Sequence, residues 1–204
     1  MEKETARLEA FSDGVFAIAI TLLILEVRVP ELHTAANRDL LAALGRLWPS
    51  FLAFVLSFFV ILLIWINHHE LFRMVQGVDR LLLFANGGLL LMVTFVPFPT
   101  AMLAHYLGTP AANTAVAFYC ATFLVTSLFH NLLFESVAHD RRLLRHDISN
   151  QEIVRIRGNY HLGLAVYTIC VIVALWSAVA GLAIAALLWL RWATLRYSAG
   201  RNRA

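Results

Sequence analysis

Charged residues are scarce in this sequence. Asp, Glu, Lys and Arg make up 14% of the 204 residues, whereas a soluble domain has about 25%. Hydrophobic residues make up 60%, and the mean hydropathy is +0.73. This balance excludes an ordinary soluble domain and predicts an integral membrane protein. The net charge of +3 does not indicate nucleic-acid binding, because the cations lie in short loops and near the C-terminus, where they are typical topology signals.

Cysteines and enzyme motifs are also rare or missing. Cys120 and Cys170 each lie in an apolar run, without the spacing of a disulfide framework or a metal site. The adjacent His68 and His69 point to different faces of a helix, so they do not suggest a metal site either. The sequence contains no GxGxxG, Walker or HExxH motif. We therefore expect no enzyme activity, no cofactor and no resident metal ion. A TVGYG-like loop is absent as well, which excludes a selectivity filter built from that motif.

Long uncharged runs predict an all-α integral membrane protein with six transmembrane helices per subunit. We expect one six-helix unit over residues 1–204, with no separate soluble domain and no repeat. Pro97 and Pro99 should bend or end the third span. Residues 27–46 are predicted to form a polar connection, and a tight hairpin near residues 177–181 should join the last two spans. The spans are predicted at residues 6–27, 48–69, 80–104, 111–138, 153–176 and 180–198.

The distribution of cations favours six spans over five. With six spans and an inner N-terminus, the outer segments hold Arg28, Arg38 and Arg46, and the remaining Lys and Arg residues are inside. With five spans, the C-terminal arginines Arg191, Arg196, Arg201 and Arg203 would also lie outside. We therefore expect a multi-pass protein of the cell membrane with both termini in the cytoplasm.

The first span is short for a helix surrounded by lipid. Twelve uncharged residues separate Asp13 from Glu26, whereas a helix that crosses lipid unaided needs about 20 apolar residues. A charge at each end of so short a run is costly in hydrocarbon. The ends of this helix must therefore lie in protein or in water, as they do in a helix that lines a central pathway.

One face of the first helix is a continuous apolar stripe. A step of 100° per residue places Ile18, Leu22 and Leu25 on this face, together with Phe11. Thr21 lies at its margin. Such stripes usually belong to a packed core, but the short span and its flanking charges favour a position along a pathway.

Polar residues of the first two spans are predicted to meet at the inner membrane surface. Trp65 and His69 are four residues apart and share a helix face. If the second helix runs antiparallel to the first, its end meets the start of the first helix, and one buried hydrogen-bond network can form. The alternative is that these side chains extend separately to the membrane surface. The candidate members are Arg7, Ser12, Asp13, Asn67 and His69.

The N-terminal pattern Arg7-x-x-x-Phe11-Ser12-Asp13-Gly14, which continues into an apolar run, resembles the RxxxFSDG signature of the transmembrane protein 175 family. These proteins are potassium-permeable channels of animal endolysosomes and of prokaryotes. The six spans and the element from Trp65 to His69 extend the similarity over essentially the whole chain. A single six-helix unit is similar to the prokaryotic form, which is a homotetramer, whereas animal members fuse two units and dimerise.

The resemblance implies a passive, potassium-selective channel in the lipid bilayer, with four copies of the first helix around the pore. It implies that Ile18 forms the constriction, that Leu22 and Leu25 form further rings, and that Thr21 flanks the pore. No metal other than K⁺ in transit is implied. Either His68 or His69 is expected in the structural and gating network, whose implied members are Arg7, Phe11, Ser12, Asp13, Trp65 and His69.

Two other functions remain possible from the residues alone. One is a small proton- or cation-coupled secondary transporter that uses Asp13 and His69. Transporters often have polar residues at the membrane midplane and broken helices in repeated halves, whereas the middle of the first span is apolar and no repeat is visible. The other is a membrane adaptor without transport, which would be electrically silent after reconstitution.

Overall fold

The fold is a bundle of α-helices. The computed structural model describes residues 2–31, 36–139, 141 and 143–194, with side chains from Glu4 onward. A 3₁₀ turn, Leu23–Glu26, extends the first helix, and the loops between helices pair through an isolated antiparallel bridge from Val75 to Leu144. The helices are α1 (Glu2–Leu22), α2 (Asn37–Arg46), α3 (Trp48–Phe72), α4 (Arg80–Phe95), α5 (Pro97–Tyr106), α6 (Ala112–Ala138), α7 (Asn150–Ala174) and α8 (Ala178–Thr194).

Five segments are long and apolar enough to cross a membrane, and α8 is a shorter apolar helix of 17 described residues. The end of the predicted sixth span, residues 195–198, lies outside the described residues, as do Arg196, Arg201 and Arg203. The chain is therefore an all-α, multi-pass membrane protein, as predicted. The five segments are Glu4–Glu26, Trp48–Phe72, Arg80–Tyr106, Ala112–Ala138 and Asn150–Ala174.

Proline explains two helix boundaries. Pro49 lies in the first turn of α3, where its missing N–H leaves no bond unmade. Pro97 has no N–H to continue the hydrogen bonding of α4, so α4 ends at Phe95 and α5 begins at Pro97. The predicted break of the third span is confirmed.

The turn between α7 and α8 is fixed by a side chain from α6. Asn113 Nδ2 donates to the carbonyl of Leu175 over 3.3 Å, and its Oδ1 accepts from the N–H of Ala178 over 2.9 Å. Gly181 lies inside α8, so the turn is slightly earlier than predicted. A Cβ at Gly181 would be 2.7 Å from the Cβ of Ala174. Glycine is therefore needed here because the two helices approach so closely.

The predicted polar connection between the first two spans contains a helix. Ten of its residues form α2. Leu40, Leu41 and Leu44 recur at the spacing of one helix face, with charged residues opposite. This periodicity favours a helix even in a charged segment.

The helices pack around α6, the most buried of the candidate spans. It contacts α4, α5, α7 and α8. α1 is the least buried candidate span and packs mainly against α3 and α4. The bundle therefore holds α1 at its edge, by one face.

Candidate ion pathway and its supporting network

The exposed face of α1 and of the 3₁₀ turn that extends it is the apolar stripe predicted from the sequence. Ile18 is 61% exposed, Leu22 44% and Leu25 66%, although all are large apolar side chains. Thr21 is exposed beside them, and its hydroxyl donates to the carbonyl of Ile18 over 2.9 Å. Phe11 is also exposed on this helix. The stripe therefore points away from the bundle of its own chain.

The opposite face of α1 is almost completely buried. Ser12, Phe16, Ala19 and Leu23 are at most 1% exposed. Their spacing of three or four residues is that of one helix face. α1 is thus fixed by this face against α3 and α4, and the position of the stripe follows from that packing.

A buried chain of hydrogen bonds crosses from α1 through α4 to α3. Ser12 Oγ donates to the carbonyl of Leu8 over 2.9 Å and accepts from Asn86 Nδ2 over 3.0 Å. Asn86 Oδ1 accepts from His68 Nε2 over 2.9 Å, so the imidazole carries its proton on Nε2 in this arrangement. Ser12, Asn86 and His68 are all at most 1% exposed. Removal of any one of these side chains should therefore lower the stability of the protein, because it leaves a buried polar group without its partner.

Two further pairs join α1 to α3 nearer the surface. Trp65 Nε1 donates to Asp13 Oδ1 over 2.8 Å. His69 Nδ1 lies 3.0 Å from Glu9 Oε1. The rings of Trp65 and His69 stack with centroids 5.7 Å apart, which aligns the two pairs. Glu9 and Asp13 are four residues apart on α1, matching the spacing of their partners on α3.

The described residues contain no group of three or more His, Cys, Asp or Glu side chains that could hold a metal ion. His68 and His69 do not form such a group, because His68 points inwards to Asn86 and His69 points outwards to Glu9. The polar groups around α1 therefore hold helices together and do not converge on a common point.

Comparison with known proteins assigns the family. Residues 7–97 match the family described as "Endosomal/lysosomal potassium channel TMEM175". A potassium channel of Chamaesiphon minutus is 45% identical over 168 residues, which are 82% of this chain and 83% of that one. The chain belongs to the TMEM175 family. This confirms the resemblance of the RxxxFSDG pattern.

A solved structure and an animal relative extend the TMEM175 comparison. The crystal structure of a lysosomal potassium-selective channel TMEM175 homolog from Chamaesiphon minutus matches with a TM-score of 0.85 and 41% identity. The match covers 94% of this chain and 97% of that one. The Bos taurus endosomal/lysosomal proton channel TMEM175 is 31% identical over 162 residues, 76% of this chain. The chain matches only 33% of the length of that animal protein.

The polar TMEM175 motif residues do not all lie in one network within the subunit. Ser12 and Asp13 face α3 and α4, and each has a partner there. Arg7 and Phe11 are exposed, and Arg7 has no hydrogen bond or ion pair to the described part of the chain. Asn67, proposed from the sequence as a further member, donates instead to the carbonyl of Leu63 in its own helix over 2.9 Å.

Two residues of the TMEM175 network were not identified from the sequence. Asn86 links Ser12 to His68, and Glu9 pairs with His69. Glu9 could have been identified, because Glu9 and Asp13 are four residues apart on α1, as Trp65 and His69 are on α3. Asn86 had a weaker signal, namely an amide inside a long uncharged run. His68 is linked to α1 through Asn86, whereas His69 contacts Glu9 of α1 directly.

Proposed function

We propose that this chain is one subunit of a homotetrameric, potassium-selective leak channel in which four copies of α1 surround the ion pathway. The observation that carries the proposal is the exposed stripe of Ile18, Leu22 and Leu25, on a helix whose opposite face is buried in its own subunit. The bacterial relative and the similar crystal structure are both named as potassium channels, which supports the choice of ion.

The exposed apolar face of α1 includes two small residues, Gly14 and Thr21. α3 exposes large apolar side chains such as Phe51 and Phe59. α1 exposes Ile18, Leu22 and Leu25 in the same way, but Gly14 and Thr21 are exposed among them. Small residues allow close approach between helices, and a hydroxyl is better placed against water or an ion than against hydrocarbon. These features favour other copies of α1 and a narrow pathway as the surroundings of this face.

In the proposed tetramer, four Ile18 side chains form the narrowest ring. A ring of apolar side chains excludes water and ions when it is narrow, and a small widening lets a hydrated column form. Leu22 and Leu25 supply further rings towards the outside. Thr21 keeps lone pairs for a passing cation while its proton is donated to the Ile18 carbonyl. Selectivity then depends on how much hydration an ion must lose at Ile18.

The rest of the chain supports this pathway. Residues 1–204 form one channel domain per subunit, and K⁺ moves down its gradient without a chemical step or a cofactor. The protein lies in the cell membrane with both termini in the cytoplasm, since that orientation places most Lys and Arg residues inside. Ser12 and Asp13 hold α1 against α3 and α4, which fixes the width of the ring. Arg7 and Phe11 lie on the exposed side, where contacts between subunits form.

Substitution of Ile18 tests the constriction. Ile18→Asn should raise unitary conductance and weaken the preference for K⁺ over Na⁺, because an amide keeps the ring hydrated. The measurement is single-channel recording with K⁺ and Na⁺ on opposite sides of a planar bilayer. Ile169→Asn is the matched control, because Ile169 is 49% exposed on α7, away from α1. Unchanged current and selectivity in Ile18→Asn would remove Ile18 from the filter.

The alternative function is a coupled transporter in which Asp13 and His69 carry the coupling ion. Asp13 is bonded to Trp65 and His69 to Glu9, and neither side chain reaches the apolar middle of α1. The named potassium channels among the relatives also favour a channel. A reversal potential that follows a pH gradient at equal K⁺ would indicate proton conduction, the activity named for the Bos taurus relative.

A further inference from the structure

An open polar cavity lies at the end of the bundle where α1 ends. It is bounded by the segment after the 3₁₀ turn, the start of α3 and the end of α5. Its volume is about 620 Å³, and sites for small molecules have volumes of about 300–1,000 Å³. The cavity is therefore large enough for a small ligand or a lipid headgroup. Its charged and hydroxyl-bearing lining includes Glu26, Arg28, Arg46, Ser50, Tyr106 and Thr109.

Two arginines make this cavity positively charged. Arg28 follows the 3₁₀ turn, and Arg46 is the last residue of α2. Neither guanidinium has a hydrogen bond or an ion pair within the described part of the chain. Glu26 is the only carboxylate among the described lining residues, and it is not paired with either arginine. Two cations against one carboxylate leave an excess of positive charge, so the cavity favours an anion and repels a cation.

The donors around the cavity suit a phosphate group. A guanidinium presents a planar fork of N–H donors that matches the geometry of phosphate oxygens. The hydroxyls of Ser50 and Tyr106 have no partner among the described residues, so each can donate as well. The Thr109 hydroxyl is used within its own turn, where it donates to the carbonyl of Tyr106 over 2.9 Å. The oxygens of one phosphate group can accept from both arginines and a hydroxyl at once.

Aromatic residues place the cavity at a membrane surface. Tyr106 lines it and is 39% exposed, and Trp48, which lies between two lining residues at the start of α3, is 54% exposed. Trp and Tyr side chains are enriched at the level of the lipid headgroups. Phosphate is therefore available to this cavity from two sources, the headgroup of a phospholipid and the adjoining water.

We propose that this cavity is a binding site for a phosphate group, held by Arg28 and Arg46. A bound phosphate links the segment after α1 to the connection that leads into α3, at the membrane surface that is the outer one in the proposed topology. The site is separate from the ring at Ile18. It goes beyond the proposed function, because its occupancy does not depend on which ion is conducted.

Two binding measurements on the purified full-length protein test the site and identify the source of the phosphate. Native mass spectrometry with added phosphatidylglycerol measures lipid binding, and isothermal titration of lipid-depleted protein with inorganic phosphate measures binding of the free anion. We expect at least one probe to bind. Arg28→Gln/Arg46→Gln should weaken that binding by about 30-fold, because each arginine near a lipid surface contributes about fivefold. Binding of neither probe overturns the proposal.

Two single substitutions separate this site from a general effect of surface charge. Arg46→Gln should weaken binding by about fivefold. Arg38→Gln is the matched control, because Arg38 is an exposed cation of the same helix that does not line the cavity, and it should leave binding unchanged. Glu26→Gln removes the opposing carboxylate and should strengthen binding. Equal losses in Arg46→Gln and Arg38→Gln, or weaker binding in Glu26→Gln, would contradict the proposal.

Discussion

Asn86→Leu is expected to loosen the contact of α1 with the rest of the subunit while leaving the ion pathway chemically unchanged. Asn86 is 1% exposed and bonds to both Ser12 and His68. Leucine has the same number of side-chain heavy atoms and the same branching at Cγ, so the substitution removes hydrogen bonds without opening a cavity. Ser12 keeps its bond to the Leu8 carbonyl. The His68 Nε2–H loses its acceptor in a fully buried position.

The expected cost is set mainly by that unpaired imidazole. Two hydrogen bonds between membrane helices contribute about 0.6 kcal/mol each. A buried donor left without a partner costs about 1–3 kcal/mol more. The free energy of unfolding should therefore fall by about 2–4 kcal/mol per subunit.

The double variant Asn86→Leu/His68→Phe separates the two contributions. The His68 ring stacks on Phe72 with centroids 4.3 Å apart and lies 5.4 Å from the ring of Phe16. A phenylalanine ring fits these surroundings and has no N–H to leave unpaired. The double variant should recover most of the lost stability, measured by thermal unfolding of the purified protein. A Tm equal to wild type in Asn86→Leu, or strictly additive losses in the double variant, would refute this reasoning.

Two further predictions concern the Asp13–Trp65 hydrogen bond and the close approach of α7 and α8 at Gly181. Asp13→Ala removes the acceptor of Trp65 Nε1 and should impair assembly or opening without changing ion preference. Size-exclusion chromatography measures assembly, and bi-ionic recording measures ion preference. A normal tetramer with altered selectivity would contradict this prediction. Gly181→Ala should lower the Tm, because its Cβ would be 2.7 Å from that of Ala174. Gly158→Ala is the control, because nothing lies within 4 Å of the new Cβ. It should be neutral or stabilise the protein by up to about 1 kcal/mol. A similar loss of Tm in both glycine variants would show that the close approach at Gly181 is not the cause.

The membrane helices were predictable because the scarcity of charge is itself the signal. Uncharged runs mark the spans, and a proline without an N–H marks the break between α4 and α5. A polar connection was predicted before α3, but the helix α2 inside it was not identified. The periodic spacing of Leu40, Leu41 and Leu44 was the available signal for this helix.

The supporting network was only partly predictable, because its geometry depends on a third helix. The spacing of Trp65 and His69 correctly predicted one shared face of α3. Adjacent residues on a helix point about 100° apart, so sequence spacing could not show which partner His68 or His69 would meet. That depends on where α4 places Asn86. Contacts across subunits, which concern Arg7 and Phe11, remain predictions.

The most direct test of the channel proposal is single-channel recording of the purified wild-type protein in a planar bilayer, with K⁺ on one side, Na⁺ on the other and equal pH. The proposal predicts discrete unitary currents that reverse close to the K⁺ equilibrium potential. Electrical silence together with saturable, proton-dependent flux into liposomes would contradict it. The exposed stripe of α1 would then lose its proposed role, and Asp13 and His69 would become the residues to test.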